Sequence, residues 1–113
     1  MKFKIQKLKQ AEKEISRLTK KQQEELEKDY KTIIEKGIEF VKRRHLRSDV
    51  FEIKTNDMRS LFAYRENCII LIGLVYEKRS NKAPDYYIEL AQKNLRRYNN
   101  EIYLCKRYRW LCC

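Results

Sequence analysis

The sequence predicts an α+β domain in which a small antiparallel sheet carries two N-terminal helices and one C-terminal helix. Three observations predict it. Apolar side chains recur at helical spacing in two segments that precede Gly37. Apolar and polar residues then alternate on both sides of a Thr55-Asn56-Asp57 break, which is typical of a β-hairpin. The run Cys68–Tyr76 is apolar at nearly every position, as expected of a central strand covered on both faces. The predicted element order is β-α-α-β-β-β-α.

The N-terminal elements follow from local signals. Lys2-Phe3-Lys4-Ile5 alternates like a short edge strand. Thr19 and Gln22 match a capping box, in which the threonine hydroxyl accepts from the glutamine amide and the glutamine side chain reaches back. The box separates two helices, and Gly37 suits a left-handed cap at the end of the second. The apolar stripes of these helices are Leu8, Ala11, Ile15 and Leu18, and then Leu26, Tyr30, Ile33 and Ile34.

The middle of the chain contains a basic connection and the predicted hairpin. Residues 38–49 are interpreted as the connection between the second helix and the hairpin, and they include the densest basic cluster, Lys42–Arg47. The hairpin spans Phe51–Tyr64 and leads through a short turn into the apolar strand. By composition, Glu77–Lys82 is a polar and basic loop.

The C-terminal part is predicted to be one helix followed by a tail. Pro84 suits the first turn of this helix, because its missing amide hydrogen is not needed there. Asn99 and Asn100 are expected to end the helix. The predicted domain therefore covers residues 1–98, and residues 99–113 form a basic, aromatic and cysteine-containing tail.

Length and charge limit the classes of function. A chain of 113 residues fits a single domain. Its net charge of +11, from 27 Lys and Arg against 16 Asp and Glu, favours a polyanionic partner such as nucleic acid. A phospholipid surface and an acidic protein are the alternatives.

No signal peptide is recognisable and no apolar run approaches the ~20 residues of a membrane helix, so a cytoplasmic protein with reduced thiols and no membrane contact is expected. The spacing of Cys105, Cys112 and Cys113 does not predict a zinc site, and no metal or cofactor is predicted.

Arg59 stands just after the predicted hairpin turn, where packing of a hairpin on a core does not require a cation. The stretch FEIKTNDMRSLFAY around it resembles the hairpin of RelE/ParE-superfamily toxins, most closely in the HigB-like, phage-derived branch. Further on, YEKRSNKAP resembles the F-x-K-K-T-x-K-T-P segment of that branch. Both motifs occur in the order of the family, so the resemblance covers residues 1–98 and implies a RelE-like fold.

The resemblance implies a type II toxin that cleaves messenger RNA on the ribosome, by attack of a ribose 2′-hydroxyl on the adjacent phosphate. Such a step requires in-line positioning, neutralisation of phosphate charge and transfer of protons. The implied catalytic residues are Arg59 as a phosphate clamp, Lys54 as a charge stabiliser or base, and Arg79 as a second clamp.

Six further residues are candidate RNA contacts. Two lysines of the loop before Pro84 would position phosphates, and a tyrosine at the start of the last helix would stack on a base, whereas its neighbour Tyr87 fits the apolar stripe. In the KRRHLR cluster, two arginines would meet ribosomal RNA phosphates or an acidic partner, and the histidine is either a general base or a surface residue. The six are Lys78, Lys82, Tyr86, Arg43, Arg44 and His45.

Two other functions remain open at this point. One is a ParE-like gyrase poison, which binds a protein target and performs no RNA chemistry. The other is an inactive module that binds RNA or an antitoxin, because the C-terminal part lacks the histidine that some HigB-like toxins use. The implied partners are messenger RNA, the ribosome and an antitoxin of the helix-turn-helix DNA-binding type.

Overall fold

The structure is a computed structural model that describes residues 3–78 and 84–109, with residues 98–109 described through their backbone alone. Within these residues the chain forms a five-stranded sheet, three α-helices and a short 3-10 helix at Ile38–Phe40. The strands are β1 (Lys4–Lys7), β2 (Arg43–Arg47), β3 (Val50–Thr55), β4 (Met58–Arg65) and β5 (Ile69–Glu77). The helices are α1 (Lys9–Ser16), α2 (Lys20–Lys36) and α3 (Asp85–Arg109).

The predicted α+β class is confirmed, and one pairing of the sheet is parallel instead of antiparallel. Its strand order is β1-β5-β4-β3-β2. Strands β2 to β5 pair antiparallel, whereas β1 runs parallel to β5 with Lys4 opposite Ile69 and Lys7 opposite Ile72. Parallel pairing is possible here because two helices and three strands separate β1 from β5 and supply the long connection that it requires.

The predicted element order lacks a strand in residues 38–49, and there it is wrong, because this connection contains the 3-10 helix and strand β2. This strand forms the edge of the sheet, with Arg44 opposite Glu52 and a bulge between His45 and Arg47. Its main support is the hydrogen-bonded ladder with β3. A largely charged edge strand resists pairing with other chains, which is a common property of exposed sheet edges.

The two faces of the sheet carry different helices. On the first, named the α2 face, Ile53, Phe62 and Ile72 pack with Leu26 and Tyr30 of α2. The second, named the α3 face, carries its own apolar cluster against α3, whose members are Val50, Leu61, Ala63, Leu71, Leu74, Tyr76, Ala91 and Leu95. Strand β5 contributes to both clusters, so the predicted doubly covered central strand is confirmed.

The predicted capping box is present, whereas the C-terminal ends of α2 and α3 differ from the prediction. Thr19 Oγ1 accepts from Gln22 N at 3.1 Å, and Gln22 Oε1 accepts from Thr19 N at 3.0 Å. Gly37 ends α2 with φ 122° and ψ 161°, a conformation that favours glycine but is not the left-handed cap expected. Helix α3 continues to Arg109, beyond the end expected at Asn99. In the described part of the chain, no helix is both long enough and apolar enough to cross a membrane.

A buried hydroxyl pair joins α2 to the sheet and gives a test of the core. Tyr30 Oη and Ser60 Oγ are 2.7 Å apart, and burial raises the pKa of Tyr30 well above its usual range. Tyr30→Phe leaves the Ser60 hydroxyl buried without this partner, so we expect the free energy of unfolding to fall by about 1–3 kcal/mol. Urea denaturation measures the loss. We expect the double variant Tyr30→Phe/Ser60→Ala to lie closer to the wild type than Tyr30→Phe, and a larger loss in the double variant would contradict the pairing.

Candidate functional site

A row of polar side chains crosses the α3 face at the hairpin end of the sheet. Lys54 lies directly opposite Arg59 on the neighbouring strand, and Arg59 lies opposite Tyr76 on the next one. Side chains that face each other across two strands are about 5 Å apart at Cβ, and like charges in such pairs are destabilising. The hairpin therefore places two cations side by side, which suits a site that binds an anion.

Arg59 is buried, which sequence alternation alone did not indicate. Its side chain is only 4% exposed. Its Nη1 donates to the backbone oxygens of Asn56 and Met58, at 2.8 Å each, and its Nε lies 3.6 Å from Glu52 Oε1. Direct contact with a phosphate would require the guanidinium to release these partners. In the observed conformation Arg59 supplies a fixed positive charge beneath the surface.

Glu52 is the buried anion of the site. Its Oε1 lies 3.6 Å from Arg59 Nε and 3.4 Å from Nε of Arg44 on the edge strand. Its other oxygen, Oε2, is buried and has no hydrogen-bond partner among the described residues. We name the group Arg44, Glu52, Arg59 and Tyr76 the arginine–glutamate cluster.

Tyrosines connect this cluster to the start of α3. The Tyr76 ring stacks on Tyr87 at a centroid distance of 4.4 Å, and Tyr86 contacts Tyr87 edge-on at 5.8 Å. Burial raises the pKa of Tyr76 to about 12, and the nearby Glu52 charge acts in the same direction. Tyr87 is half-buried beside the apolar cluster, in agreement with its expected place on the apolar stripe. Tyr86 is 69% exposed, so its ring is accessible for stacking.

Strand β5 ends at the same end of the sheet, and Lys78 follows it there. Lys78 N donates to Asp57 O of the hairpin turn at 2.6 Å, which brings Lys78 next to the row of cations. Arg79 and Lys82, two other residues predicted for the site, lie outside the described residues. The structure therefore brings Lys54, Arg59 and Lys78 to one end of the sheet.

Strand β2 divides its basic residues between the two faces. Arg44 pairs with Glu52 and belongs to the α3 face. Arg43 pairs with Ile53, and the His45 ring lies 4.7 Å from the Phe51 ring, so both belong to the α2 face. The structure does not place Arg43 and His45 beside Lys54 and Arg59, and their contact with RNA stays a prediction.

Sequence reasoning missed the participation of Glu52 and Tyr76. A signal for Glu52 exists, because alternation places it on the same face as Lys54. From the sequence, the face that carries Glu52 and Lys54 is expected to be exposed to solvent, because no residue nearby in the chain indicates that Arg59 and α3 cover it. Tyr76 opens the YEKRSNKAP motif, but it also ends an apolar run in which an aromatic residue is ordinary, so it was not singled out.

The fold is that of RelE-like proteins. A chain of the archaeal RelE–RelB complex from Pyrococcus horikoshii OT3 matches with a TM-score of 0.60 at 16% identity, over 73% of this chain and 100% of that chain. A chain of the toxin–antitoxin complex RelBE2 from Mycobacterium tuberculosis matches with a TM-score of 0.58 at 10% identity, over 69% of this chain and 100% of that one. At these identities the likeness establishes the fold.

The family follows from the sequence match. Residues 6–96 match the phage-derived Gp49-like protein family (DUF891), and the chain belongs to this family. The resemblance to the phage-derived branch of the RelE/ParE superfamily is thereby confirmed. A comparison with curated protein sequences returns no match.

Proposed function

We propose that this protein is the toxin of a type II toxin–antitoxin pair and that it cleaves messenger RNA, in the cytoplasm and on the ribosome. The observation that carries the proposal is the direct pairing of Lys54 with Arg59 on adjacent strands of a RelE-like sheet. A structural hairpin gains nothing from this like-charged pair, whereas a phosphate placed over it pairs with the exposed Lys54 and is attracted by the buried charge of Arg59.

The chemistry needs a cation that reaches the substrate and a field that favours developing negative charge. Lys54 is exposed, so its ammonium is the group that meets the scissile phosphate or takes part in proton transfer. Arg59 is fixed below it by two backbone carbonyls, so its charge is already oriented before RNA binds. Tyr86 stacks on an unpaired base, and Lys78 positions the backbone. Arg79 acts as a second clamp from the loop.

The partner of the protein is an antitoxin, as in the two complexes that share its fold. The net charge of +11 favours an acidic partner segment that competes with RNA for the basic surface. A helix-turn-helix DNA-binding antitoxin is the type we expect for the phage-derived branch.

Lys54→Ala tests the proposal. We expect it to lower RNA cleavage by about 100-fold or more, because it removes the exposed cation that acts on the phosphate. We expect stability to change by no more than about 0.5 kcal/mol, since the side chain is exposed and its removal relieves a like-charged pair. Primer extension on cellular messages after brief expression of wild type and variant measures the effect, and circular dichroism of the purified proteins measures folding.

Lys31→Ala is the matched control, because it removes the same charge from the exposed surface of α2. New 5′ ends inside translated frames that persist in Lys31→Ala and disappear in Lys54→Ala support the proposal. Growth arrest without new 5′ ends contradicts it and indicates a protein target such as gyrase. The absence of both effects leaves the inactive binding module as the interpretation.

A further inference from the structure

The two arginines that flank Glu52 have different surroundings. Both present Nε to the same carboxylate oxygen, at 3.4 Å for Arg44 and 3.6 Å for Arg59. The Arg59 side chain is 4% exposed and uses Nη1 for backbone carbonyls. The Arg44 side chain is 57% exposed, and its terminal nitrogens have no hydrogen-bond partner in the part of the chain that the structure describes. Arg44 therefore keeps the Nη1 donor that Arg59 has committed to backbone carbonyls.

We infer that Glu52 is a positioning residue, which holds Arg44 over the α3 face so that the Arg44 guanidinium binds the phosphate of the RNA. The inference rests on the proposed function and assigns the phosphate fork to Arg44 instead of the buried Arg59. A guanidinium held through Nε still offers its two terminal nitrogens to an anion. An arginine without a partner in the free protein loses much side-chain entropy when it binds an anion. A fixed carboxylate that already restricts the arginine side chain reduces that loss.

Glu52 is suited to this role because it is itself fixed. It lies on the inner strand β3, between Arg44 on one neighbouring strand and Leu61 on the other. Its side chain is almost fully buried, and Arg59 compensates its charge from below. The oxygen Oε2 is buried without a partner among the described residues, an arrangement that costs stability. Proteins tolerate such a cost mainly where function requires the group.

The neighbouring Arg43 provides a matched control for Arg44. Both arginines lie on the edge strand, both are exposed, and replacement of either removes one positive charge. They differ in the face they occupy, because Arg43 pairs with Ile53 and donates to Ile38 O, on the face opposite to Lys54. A purely electrostatic attraction of RNA to strand β2 would weaken equally in the two variants.

Cleavage of a translated message in a reconstituted translation reaction, with the full-length purified protein, tests the inference. We expect Arg44→Ala to slow cleavage by about 10–100-fold, and by at least about fivefold more than Arg43→Ala does. Arg44→Lys keeps the charge but lacks both the Nε that lies 3.4 Å from Glu52 Oε1 and the planar fork. We therefore expect its rate to be close to that of Arg44→Ala. Equal rates for Arg44→Ala and Arg43→Ala, or full activity of Arg44→Lys, would overturn the inference.

The positioning role of Glu52 is tested by a double-variant cycle. Glu52→Gln keeps the shape of the side chain and removes the charge that holds Arg44. We expect it to slow cleavage in the wild-type background, and to lower the cleavage rate by less than about a further twofold in the Arg44→Ala background. A merely structural Glu52 lowers the rate by the same factor in both backgrounds, and that result would overturn the positioning role. Circular dichroism at the assay temperature establishes that each protein is folded.

The Arg44 comparisons decide the inference even if Glu52→Gln does not fold, since they leave the buried pair in place. A wild-type protein that cleaves no message overturns the proposed function and this inference with it. Cleavage by the wild type with no specific effect at Arg44 overturns the inference alone. The two failures are therefore distinguishable.

Discussion

Replacing Arg59 by alanine is expected to lower the free energy of unfolding by about 3–5 kcal/mol, because Glu52 then stays buried without its buried counter-ion. Glu52 and Arg59 are each 4% exposed at the side chain, so water does not replace the lost partner. Two hydrogen bonds to Asn56 O and Met58 O are lost as well. Small domains are stable by only about 5–15 kcal/mol, so the loss is a large fraction of the total.

Urea denaturation followed by circular dichroism measures this effect, and two variants serve as controls. Lys54→Ala removes the cation directly opposite Arg59 but from an exposed position, so we expect a change within about 0.5 kcal/mol. Glu52→Leu/Arg59→Met replaces both buried charges by apolar groups, and we expect it to recover most of the stability that Arg59→Ala loses. An unchanged denaturation midpoint for Arg59→Ala would show that the guanidinium is not buried in solution.

The result also decides how the Arg59→Ala variant is interpreted in RNA cleavage assays. A loss of cleavage in this variant has two possible causes, the missing charge and the lost fold. Lys54→Ala and Arg44→Ala separate them, because both residues are exposed. The Arg59→Ala variant is therefore expected to lose stability as well as cleavage.

Leu95→Ala is expected to lower the free energy of unfolding by about 2–5 kcal/mol, because Leu95 fills the space above Gly73 in strand β5. Leu95 is fully buried, and its Cγ lies 2.9 Å from the position that a Cβ on Gly73 would occupy. Asn94 Nδ2 donates to Gly73 O at 3.1 Å, which holds α3 at the same point. The contact anchors the helix whose first turn carries Tyr86 and Tyr87.

Whether Gly73→Ala lowers or raises the free energy of unfolding should depend on the side chain at residue 95. In the wild type the added methyl group is too close to Leu95, and we expect a loss of about 1–3 kcal/mol. In the Leu95→Ala background the same methyl group fills part of the cavity, and we expect Gly73→Ala to raise the stability. Urea denaturation of the four proteins measures the coupling, with Lys93→Ala on the exposed side of α3 as a control. Additive effects would contradict the close packing of α3 on β5.

Local and periodic signals predicted most of the fold. The capping box at Thr19 and Gln22 depends on side chains three residues apart, and it is present as predicted. The apolar run that forms β5 predicted a central strand because apolar residues on both faces need cover on both sides. These features are encoded in short stretches of chain, so their recognition does not require the arrangement of distant elements.

Strand β2 lacked such a signal. In Arg43–Arg47 the only apolar residue is Leu46, and the bulge between His45 and Arg47 interrupts the alternation. The strand exists because its backbone pairs with β3, including the bond from Lys54 N to Lys42 O at 2.9 Å. Backbone hydrogen bonding at a charged sheet edge does not require a particular pattern of side chains, so the sequence does not reveal the strand.

The sequence alone was sufficient for the fold class, the hairpin, the face shared by Glu52 and Lys54, and the basic character of the protein. The burial of Arg59, the common contact of Arg44 and Arg59 with Glu52, and the separation of Arg43 from Arg44 depended on three-dimensional packing. The physical reason is the range of the interactions. Alternation and capping act between near neighbours in the chain, whereas burial and ion pairing depend on strands and a helix that meet only in the folded protein.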